Sequence, residues 1–292
     1  MKINKSYIYR SILGRSSIRN MDKYNQMKKF SNQIRKETLK MLLNRGFGHL
    51  GGSMSIIETL AVLYSNMKID PNNPKMEDRD FFILSKGHAG PALYSTLALK
   101  GFFDLELLKT LNNNGTHIPS HPDRNLTPGV DMTTGSLGQG ISVAVGIALG
   151  LKRKGSLRQV YCIVGDGELN EGQCWEAIQF AAHNKLENFT LFIDDNKKQL
   201  DGTTIEICNP FDLVKKIKSF GFEVLKVNGA SVEEIDIAIK EKYSNKPKCI
   251  ILDTIKGQGV EYFEKLKANH HIRFSEEMKE ILKSEIEKLD IM

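Results

Sequence analysis

The sequence predicts an α/β fold, a doubly wound parallel sheet with helices on both faces. Two apolar runs, 160–164 and 191–193, each stop at an acidic turn, as buried strands of such a sheet do. Further strand-like runs alternate with segments of helical periodicity, which is typical of parallel sheets. With 292 residues, 40% of them hydrophobic, the chain is long enough to bury a full core.

The first part of the chain carries helix signals separated by a glycine-rich loop. Residues 31–45 alternate apolar and charged positions at helical spacing and end before Gly46, a residue type that often follows a helix. After the loop 46–52, Ser55 and Glu58 stand in capping-box spacing and predict the start of a second helix.

The middle of the chain predicts a strand, a long loop and a helix. The apolar run 81–84 is typical of a strand. Residues 112–137 are rich in Asn, Gly, Pro, Thr and His, and loops of this length are usually functional or mobile. The apolar segment 138–151 predicts a helix in which Gly146 and Gly150 permit close packing.

The last part of the chain completes the alternating pattern. Strands are predicted at 222–227 and 249–254, separated by a helix that Ser231 and Glu234 would cap. A final helix is predicted at about 275–289. We therefore divide the chain into a basic N-terminal extension, residues 1–25, and one domain, residues 26–292.

Charge and composition exclude several classes of protein. The net charge is +6, and residues 1–21 contribute much of it because they hold five basic residues and no acid. The remainder is nearly balanced, so we expect no nucleic-acid binding. No apolar run has the length of a membrane span, and no signal peptide is recognisable, so we expect a cytoplasmic protein without a membrane partner.

Two sequence features bear on the compartment. The four cysteines have no paired spacing, which favours reduced thiols in the core. The first twenty residues are rich in Arg and Ser, which is also typical of an organelle transit peptide. A translation start at Met21 would explain the same segment, and both alternatives remain open.

Acidic and amide side chains follow the two central strands. Asp166 lies in a Gly-Asp-Gly turn after the first strand, and Asn196 follows the second strand, thirty residues after Asp166. Neighbouring strand ends of a parallel sheet share one crevice, so these two side chains can bind one Mg²⁺ ion. The backbone carbonyl of Lys198 can complete the protein ligands, and the glycines allow backbone N–H groups to approach phosphate oxygens.

Three histidines lie on loops and are flanked by glycine or proline. These are His49, His88 and His121, and histidine can exchange protons near neutral pH. Their placement on loops favours a functional role. His183 lies in an apolar helical segment, so we interpret it as structural.

The ordered motifs resemble those of the transketolase family, over about residues 27–272. Gly-Asp-Gly followed about thirty residues later by Asn looks like the thiamine-diphosphate binding motif. The accompanying segments are Gly48-His49-Leu50-Gly51, Leu84-Ser85-Lys86-Gly87-His88-Ala89, His121-Pro122, Thr134-Gly135-Ser136-Leu137-Gly138-Gln139-Gly140 and Asp194-Asp195-Asn196-Lys197. More narrowly, the chain resembles the N-terminal subunit of a split transketolase.

The resemblance implies a cofactor and a role for each matching residue. The cofactor is thiamine diphosphate with Mg²⁺ (or Ca²⁺ or Mn²⁺), and the metal ligands are Asp166, Asn196 and the Lys198 carbonyl. The cofactor-binding residues are His49, His88, Gly135, Ser136, Leu137, Asp166, Gly167, Glu171 and Asn196. His49, His121 and His270 are the catalytic residues that face the sugar, and Glu171 and Glu176 lie at the interface between two cofactor sites.

One segment departs from the family pattern. Where the family usually has Trp-His-Gly, this chain has Asn269-His270-His271. An ungapped alignment from Gly259 assigns the family position to His270, and His271 is the alternative. The changed neighbours are compatible with altered acceptor recognition or with drift.

The resemblance also implies an incomplete active site. In the family, the glutamate that activates the cofactor comes from a second α/β domain, and fewer than forty residues follow the last predicted strand. We therefore expect the partner to be a C-terminal transketolase subunit, in a heterotetramer with self-association, for two-carbon transfer between sugars or sugar phosphates as in the pentose phosphate pathway.

Four other functions are compatible with part of this pattern. Another thiamine-diphosphate enzyme half, similar to a deoxyxylulose-phosphate synthase or to the α subunit of a 2-oxoacid dehydrogenase, would share the cofactor motif. A specialised transketolase from a sugar-degradation or secondary pathway is a second alternative, which the changed residues 269 and 271 permit. A non-catalytic regulator that binds the cofactor is a third alternative. A magnesium-nucleotide enzyme is disfavoured because the chain lacks a P-loop.

Overall fold

The computed structural model describes the backbone of residues 18–291 and the side chains of residues 21–290. Five parallel strands form the main sheet, and two short antiparallel strands form a separate ladder. In chain order the strands are β1 (Phe47–Gly48), β2 (Phe81–Leu84), β3 (Val160–Gly165), β4 (Phe189–Asp195), β5 (Glu223–Asn228), β6 (Lys248–Asp253) and β7 (Ile272–Arg273). The main sheet has the order β2-β3-β4-β6-β5.

The helices connect successive strands and cover the sheet. They are α1 (Ile18–Arg45), α2 (Gly51–Met54), α3 (Ile57–Asn66), α4 (Gly90–Leu99), α5 (Gln139–Arg153), α6 (Gly172–His183), α7 (Thr204–Cys208), α8 (Leu213–Ser219), α9 (Val232–Lys240), α10 (Glu261–Lys265) and α11 (Glu276–Ile291). Short 3₁₀ helices occupy Gly87–Ala89, Leu105–Thr110 and Gly167–Asn170.

Apolar side chains of the strands alternate between two cores, one on each face of the sheet. On β3, Ile163 belongs to the core beneath α1, α3, α4, α9 and α11. Its neighbours Cys162 and Val164 belong to the core beneath α5, α6 and α8. Both faces of a parallel sheet must be covered to bury such strands. The predicted doubly wound α/β fold is therefore confirmed.

The register of the sheet sets the position of the site. Gly165 at the end of β3 pairs with Asp194 of β4, and Asp194 pairs with Leu252 of β6. Three strands therefore end at nearly the same level, and the turns that follow them meet at one edge of the sheet.

Most predicted elements are present, with shifted ends at several helices. Helix α1 spans Ile18–Arg45 and so includes residues well before 31; the predicted boundary at residue 25 falls within it and remains a prediction. Ser231 caps α9 as predicted, because its side chain accepts a hydrogen bond from the Glu234 N–H at 3.2 Å. Residues 1–17, with most of the proposed transit peptide, lie outside the described part of the chain.

The capping-box prediction for Ser55 and Glu58 is wrong. The residue before α3 is Ile56, and no side chain caps this helix. Ser55 instead donates a hydrogen bond to Asp194 at 2.7 Å, and Glu58 pairs with Arg35 at 2.5 Å. Buried charged partners from other elements satisfy both side chains, which outweighs the local capping preference.

Among residues 18–291, no helix combines the length and the hydropathy of a membrane span.

Candidate functional site

The site lies at the edge where β3, β4 and β6 end, as the strand-end argument predicted. Asp166 is only 2% exposed, and its two carboxylate oxygens accept hydrogen bonds from the backbone N–H groups of Gly167 at 2.8 Å and Lys197 at 2.6 Å. Asn196 is also buried, and its side-chain oxygen accepts from the Lys198 N–H at 3.1 Å. The fold thus brings Asp166 next to the residue that follows Asn196.

The electrostatics around Asp166 suit a bound cation. Burial, followed by the nearby negative charge of Asp194, raises the pKa of Asp166 to about 7. A divalent ion would compensate the buried carboxylate, and carboxylate, amide and carbonyl oxygens are the ligands that Mg²⁺ prefers. The donor set therefore fits the predicted metal.

Lys256 is a site residue that the sequence reasoning missed. It is 2% exposed, and its ammonium group donates to the Lys198 carbonyl at 3.3 Å. Burial and the positive charge of Lys86 lower the pKa of Lys256 to about 8. Lys256 follows β6, the third strand that ends at this edge, and that position was the signal available in the sequence.

The structure brings the loop histidines into one cluster centred on His49. Its ring centroid lies 5.4 Å from His121, 5.3 Å from His270, 4.7 Å from His271 and 5.8 Å from His88. The rings of His88 and His270 lie 4.6 Å apart. His49 follows β1, His88 lies in the turn after β2, and His270 and His271 precede β7.

The cluster favours neutral imidazoles. Burial lowers the pKa of His49 to about 4 and that of His270 to about 3, and neighbouring histidines and Lys256 add to the effect. Burial also lowers the pKa values of His88 and His121. Each neutral ring has one hydrogen-bond donor and one acceptor, which suits uncharged hydroxyl and carbonyl groups.

The Asn269-His270-His271 segment places its two histidines differently. His270 lies inside the cluster, and its Nδ1 atom is 3.1 Å from the Lys256 ammonium nitrogen. His271 is exposed and contacts His49 from the outer side. Asn269 fixes this segment through its side chain and its backbone. The side-chain amide donates to the backbone carbonyls of Lys256 and Phe263, both at 2.8 Å, and the backbone carbonyl of Asn269 accepts from the Gly51 N–H.

Residues 134–138, which precede α5, form an open cradle beside the histidine cluster. Gly135 has a φ of +145°, and a Cβ atom there would lie 3.1 Å from the His121 ring. Ser136 and Leu137 are exposed, and the adjacent Thr134 hydroxyl is buried without a hydrogen-bond partner among the described atoms. A Cβ at Gly167 would lie 2.7 Å from Gln199, so this turn also requires glycine. An unpartnered buried hydroxyl beside an open surface fits the predicted cofactor cradle.

Glu168, which the sequence reasoning did not single out, links three segments of the cradle. Its carboxylate accepts from the Ser85 hydroxyl at 2.6 Å and from the N–H groups of Gly138 at 2.9 Å and Gly165 at 3.1 Å. These contacts hold the Gly-Asp-Gly turn against the start of α5.

The remaining predicted residues lie outside the cluster. Glu171 and Glu176 are exposed, and a Cβ atom at Gly138 would lie 2.9 Å from Glu171. His183 is exposed at the end of α6, so it is a surface residue rather than a core one.

Known proteins share both the sequence and the fold. Residues 26–286 match the family described as transketolase, thiamine diphosphate binding domain. The chain is 49% identical over 262 residues to SqwG, a subunit of the 6-deoxy-6-sulfo-D-fructose transketolase of Clostridium sp. strain MSTE9, covering 88% of this chain and 95% of that one. It is 36% identical to an apulose-4-phosphate transketolase subunit from Phocaeicola vulgatus, covering 89% and 94%.

Solved structures agree with the fold. The transketolase of Campylobacter jejuni superposes with a TM-score of 0.84 at 33% identity, and the match covers 90% of this chain and 43% of that one. The Pichia stipitis transketolase in complex with sedoheptulose 7-phosphate gives 0.82 at 32% identity, covering 90% and 40%. This chain thus spans about two fifths of the full-length enzymes but nearly all of the separate subunits. The chain belongs to the transketolase family and corresponds to its N-terminal, thiamine diphosphate binding subunit in a split transketolase.

Proposed function

We propose that this subunit binds thiamine diphosphate through a divalent ion, preferably Mg²⁺, and transfers a two-carbon ketol unit from a ketose to an aldose together with a C-terminal partner. The observation that carries the proposal is the cluster of neutral histidines around His49 beside the buried Asp166 carboxylate. The first group suits a sugar, and the second suits a metal-bound diphosphate.

The cofactor would be held mainly by the strand-end turns. Asp166, Asn196 and the Lys198 carbonyl would hold the metal ion, and the Gly167 backbone with His88 would contact the diphosphate. Ser136 and Leu137, on the exposed side of the cradle, would lie along the cofactor together with Gly135. When bound, thiamine diphosphate supplies a nucleophilic carbon that attacks ketones and accommodates the resulting negative charge.

The histidines would orient the sugar and move its protons. A neutral ring can donate a hydrogen bond to a carbonyl oxygen and accept one from a hydroxyl group. His49 and His121 would contact the reacting end of the sugar, and His270 would act from the side of Lys256, whose ammonium group lies 3.1 Å away. Burial, followed by this positive charge, lowers the pKa of His270 to about 3 and so favours the neutral ring.

We propose a ketose with a terminal anionic group as the donor. The relative that is 49% identical is a subunit of a 6-deoxy-6-sulfo-D-fructose transketolase, whereas the apulose-4-phosphate relatives are 36% and 37% identical. The first sugar is therefore the preferred candidate, and apulose 4-phosphate and pentose phosphates are the comparison substrates.

The partner subunit would supply the groups that activate the cofactor and part of the sugar-binding site. Two relatives that match this chain along nearly their whole length are named as transketolase subunits, which supports a separate partner. On α5, a Cβ at Gly146 or Gly150 would meet nothing within 4 Å, so the close packing predicted there does not occur within residues 21–290. This face and the exposed Glu171 and Glu176 form the surface that we assign to association in a heterotetramer.

The proposal is tested by reconstitution with the C-terminal subunit. We expect two-carbon transfer from 6-deoxy-6-sulfo-D-fructose only with both subunits, Mg²⁺ and thiamine diphosphate. Turnover by this chain alone would refute the partner requirement, and pyruvate decarboxylation by the pair would identify another thiamine-diphosphate enzyme. Cofactor binding without turnover of any sugar would support the alternative that this chain is a non-catalytic regulator.

The metal assignment has a separate test. We expect Asp166→Ala to abolish Mg²⁺-dependent binding of thiamine diphosphate in calorimetry without loss of the fold. Asp78→Ala serves as the matched control, because Asp78 is an exposed carboxylate before β2. Equal binding by both variants would show that Asp166 does not hold the metal.

A further inference from the structure

Phe47 lies at the outer side of the histidine cluster. Two arginines each place a guanidinium group over its ring. The Arg45 guanidinium carbon lies 4.6 Å from the ring centroid, and that of Arg273 lies 5.4 Å away. The ring of His271 lies 5.7 Å from Phe47 and 4.7 Å from His49. A continuous row of side chains thus leads outward from His49 to two cationic groups.

The short β1–β7 ladder creates this arrangement. Phe47 pairs directly with Arg273, and opposite residues of an antiparallel pair present their side chains on the same face. Arg45 is the last residue of α1, and Gly46, with a φ of +81°, turns the chain from this helix into β1. Residues distant in sequence are therefore fixed around one ring.

Both guanidinium groups retain free hydrogen-bonding capacity. Neither forms an ion pair with a carboxylate of residues 21–290, whereas Arg35, Arg79 and Arg158 each do. The Nε atom of Arg45 is buried without a partner. Another nitrogen of this guanidinium group, Nη1, donates the only hydrogen bond from Arg45 to a side chain of residues 21–290, a 3.4 Å contact with Asn113. Stacking on an aromatic ring uses the face of a guanidinium group and leaves its in-plane N–H donors available.

We propose that Arg45 and Arg273 bind the terminal sulfonate or phosphate of the sugar whose reacting end lies at His49. Guanidinium groups bind such oxyanions with paired, charge-assisted hydrogen bonds. The neutral rings at His49 face the uncharged part of the sugar, and the two positive charges lie beyond His271 on the outer side. This inference rests on the proposed function and gives the present chain a role in selecting anionic sugars.

The kinetic test compares sugars of equal length and different charge. With the reconstituted complex, we expect Arg45→Met/Arg273→Met to raise KM for 6-deoxy-6-sulfo-D-fructose and D-fructose 6-phosphate about ten- to a hundredfold, as the loss of charge-assisted hydrogen bonds predicts. The kcat for these donors, and KM for uncharged D-fructose, should stay unchanged. A larger effect on one anionic donor would distinguish a sulfonate site from a phosphate site.

The matched control is Arg158→Met, because Arg158 precedes β3 at the end of the strand away from the site, where it pairs with the exposed Asp78. Equal KM changes for charged and uncharged donors, or no change for either, would overturn the proposal. Failure of the double variant to assemble with the C-terminal subunit would also overturn it, since the arginines would then serve the interface between the two chains.

A binding test separates this proposal from the proposed function. Inorganic sulfate, titrated into the isolated full chain at constant ionic strength, should cause saturable shifts in the backbone amide NMR signals of Phe47 and Arg273. The shifts should be absent in the double variant and present in Arg158→Met. Saturable binding without turnover of any sugar would refute only the transketolase function, whereas the absence of saturation would refute the anion site.

Discussion

Lys86 and Asp194 form an ion pair whose two side chains are fully buried, with 2.5 Å between Nζ and Oδ2. Asp194 also accepts hydrogen bonds from Ser55 at 2.7 Å, Thr254 at 2.5 Å and Asn196 at 2.8 Å. Burial alone would raise the pKa of Asp194, but Lys86 and the hydrogen bonds lower it below its usual value. This carboxylate therefore joins the turns after β2, β4 and β6 to the segment that carries His49.

Removal of the lysine charge is expected to destabilise the chain strongly. Lys86→Met leaves the Asp194 carboxylate buried without its countercharge, which costs about 3–5 kcal/mol of the free energy of unfolding. Urea denaturation of the isolated chain measures this loss. Lys109→Met is the control, because Lys109 forms an exposed pair with Glu106, and it should change stability little. If both variants were equally stable, the pair would not organise the site.

Two glycines of α5 are expected to respond oppositely to alanine. A Cβ at Gly140 would lie 2.7 Å from Cα of Ser85, so Gly140→Ala should destabilise the chain by about 1–3 kcal/mol through overpacking. A Cβ at Gly146 would meet nothing, so Gly146→Ala should stabilise the isolated chain by about 0.5–1 kcal/mol through helix propensity. Thermal unfolding measures both changes.

The Gly146→Ala variant also tests the surface that we assign to association with the partner. If the exposed face of α5 packs against another chain, Gly146→Ala weakens the complex while it stabilises the isolated chain. An unchanged association constant would place the interface elsewhere.

The histidine cluster is expected to make stability depend on pH. The pKa of His49 is lowered to about 4 in the folded chain, against about 6.5 when it is unfolded. The unfolded chain therefore binds the proton first, and stability falls as pH decreases from about 6.5 to about 4. Below about 4 this contribution is constant.

The His49→Asn variant isolates this effect from that of the carboxylates. Between pH 6.5 and 4 it should lose about 2 kcal/mol less stability than the unmodified chain, after allowance for the partial exposure of the ring. His183→Asn is the control, because His183 is exposed and lies outside the cluster. Identical pH profiles for all three chains would contradict the lowered pKa.

Thiol reactivity is expected to separate one cysteine from the other three. Cys208 is exposed, whereas Cys162, Cys174 and Cys249 are buried. Burial raises the pKa of Cys174 to about 12 and raises those of the other two buried thiols as well. A chromogenic disulfide reagent should therefore modify one thiol rapidly and all four after denaturation, and Cys208→Ser should remove the rapid phase. A rapid phase that survives this substitution would show an accessible core thiol.

Much of the fold was predictable because its signals are local. Strand β2 occurs at the predicted residues 81–84, and β3 extends the predicted run by one residue to Gly165. Apolar runs bounded by glycine or acidic turns depend only on neighbouring residues, and so does the Ser231 cap. The convergence of Asp166 and Asn196 followed from the general geometry of parallel strands.

Contacts between distant segments were not predictable in this way. Nothing near Ser55 in the chain indicates that its hydroxyl binds Asp194, and the local pattern predicted a helix cap instead. The contact of Lys86 with Asp194 and that of Lys256 with the Lys198 carbonyl likewise depend on the sheet register, although Lys86 lies in a family motif and Lys256 follows a strand.

The sequence by itself determined the strand pattern and the family, and it supplied the residue types of the proposed cofactor site, because these are carried by short motifs and by hydrophobic periodicity. Only the tertiary structure decided that His270 lies inside the cluster while His271 faces outward beside Phe47 and its two arginines. The physical reason is that the β1–β7 pairing joins segments more than two hundred residues apart. Such pairing depends on how the whole core packs, and no local pattern encodes it.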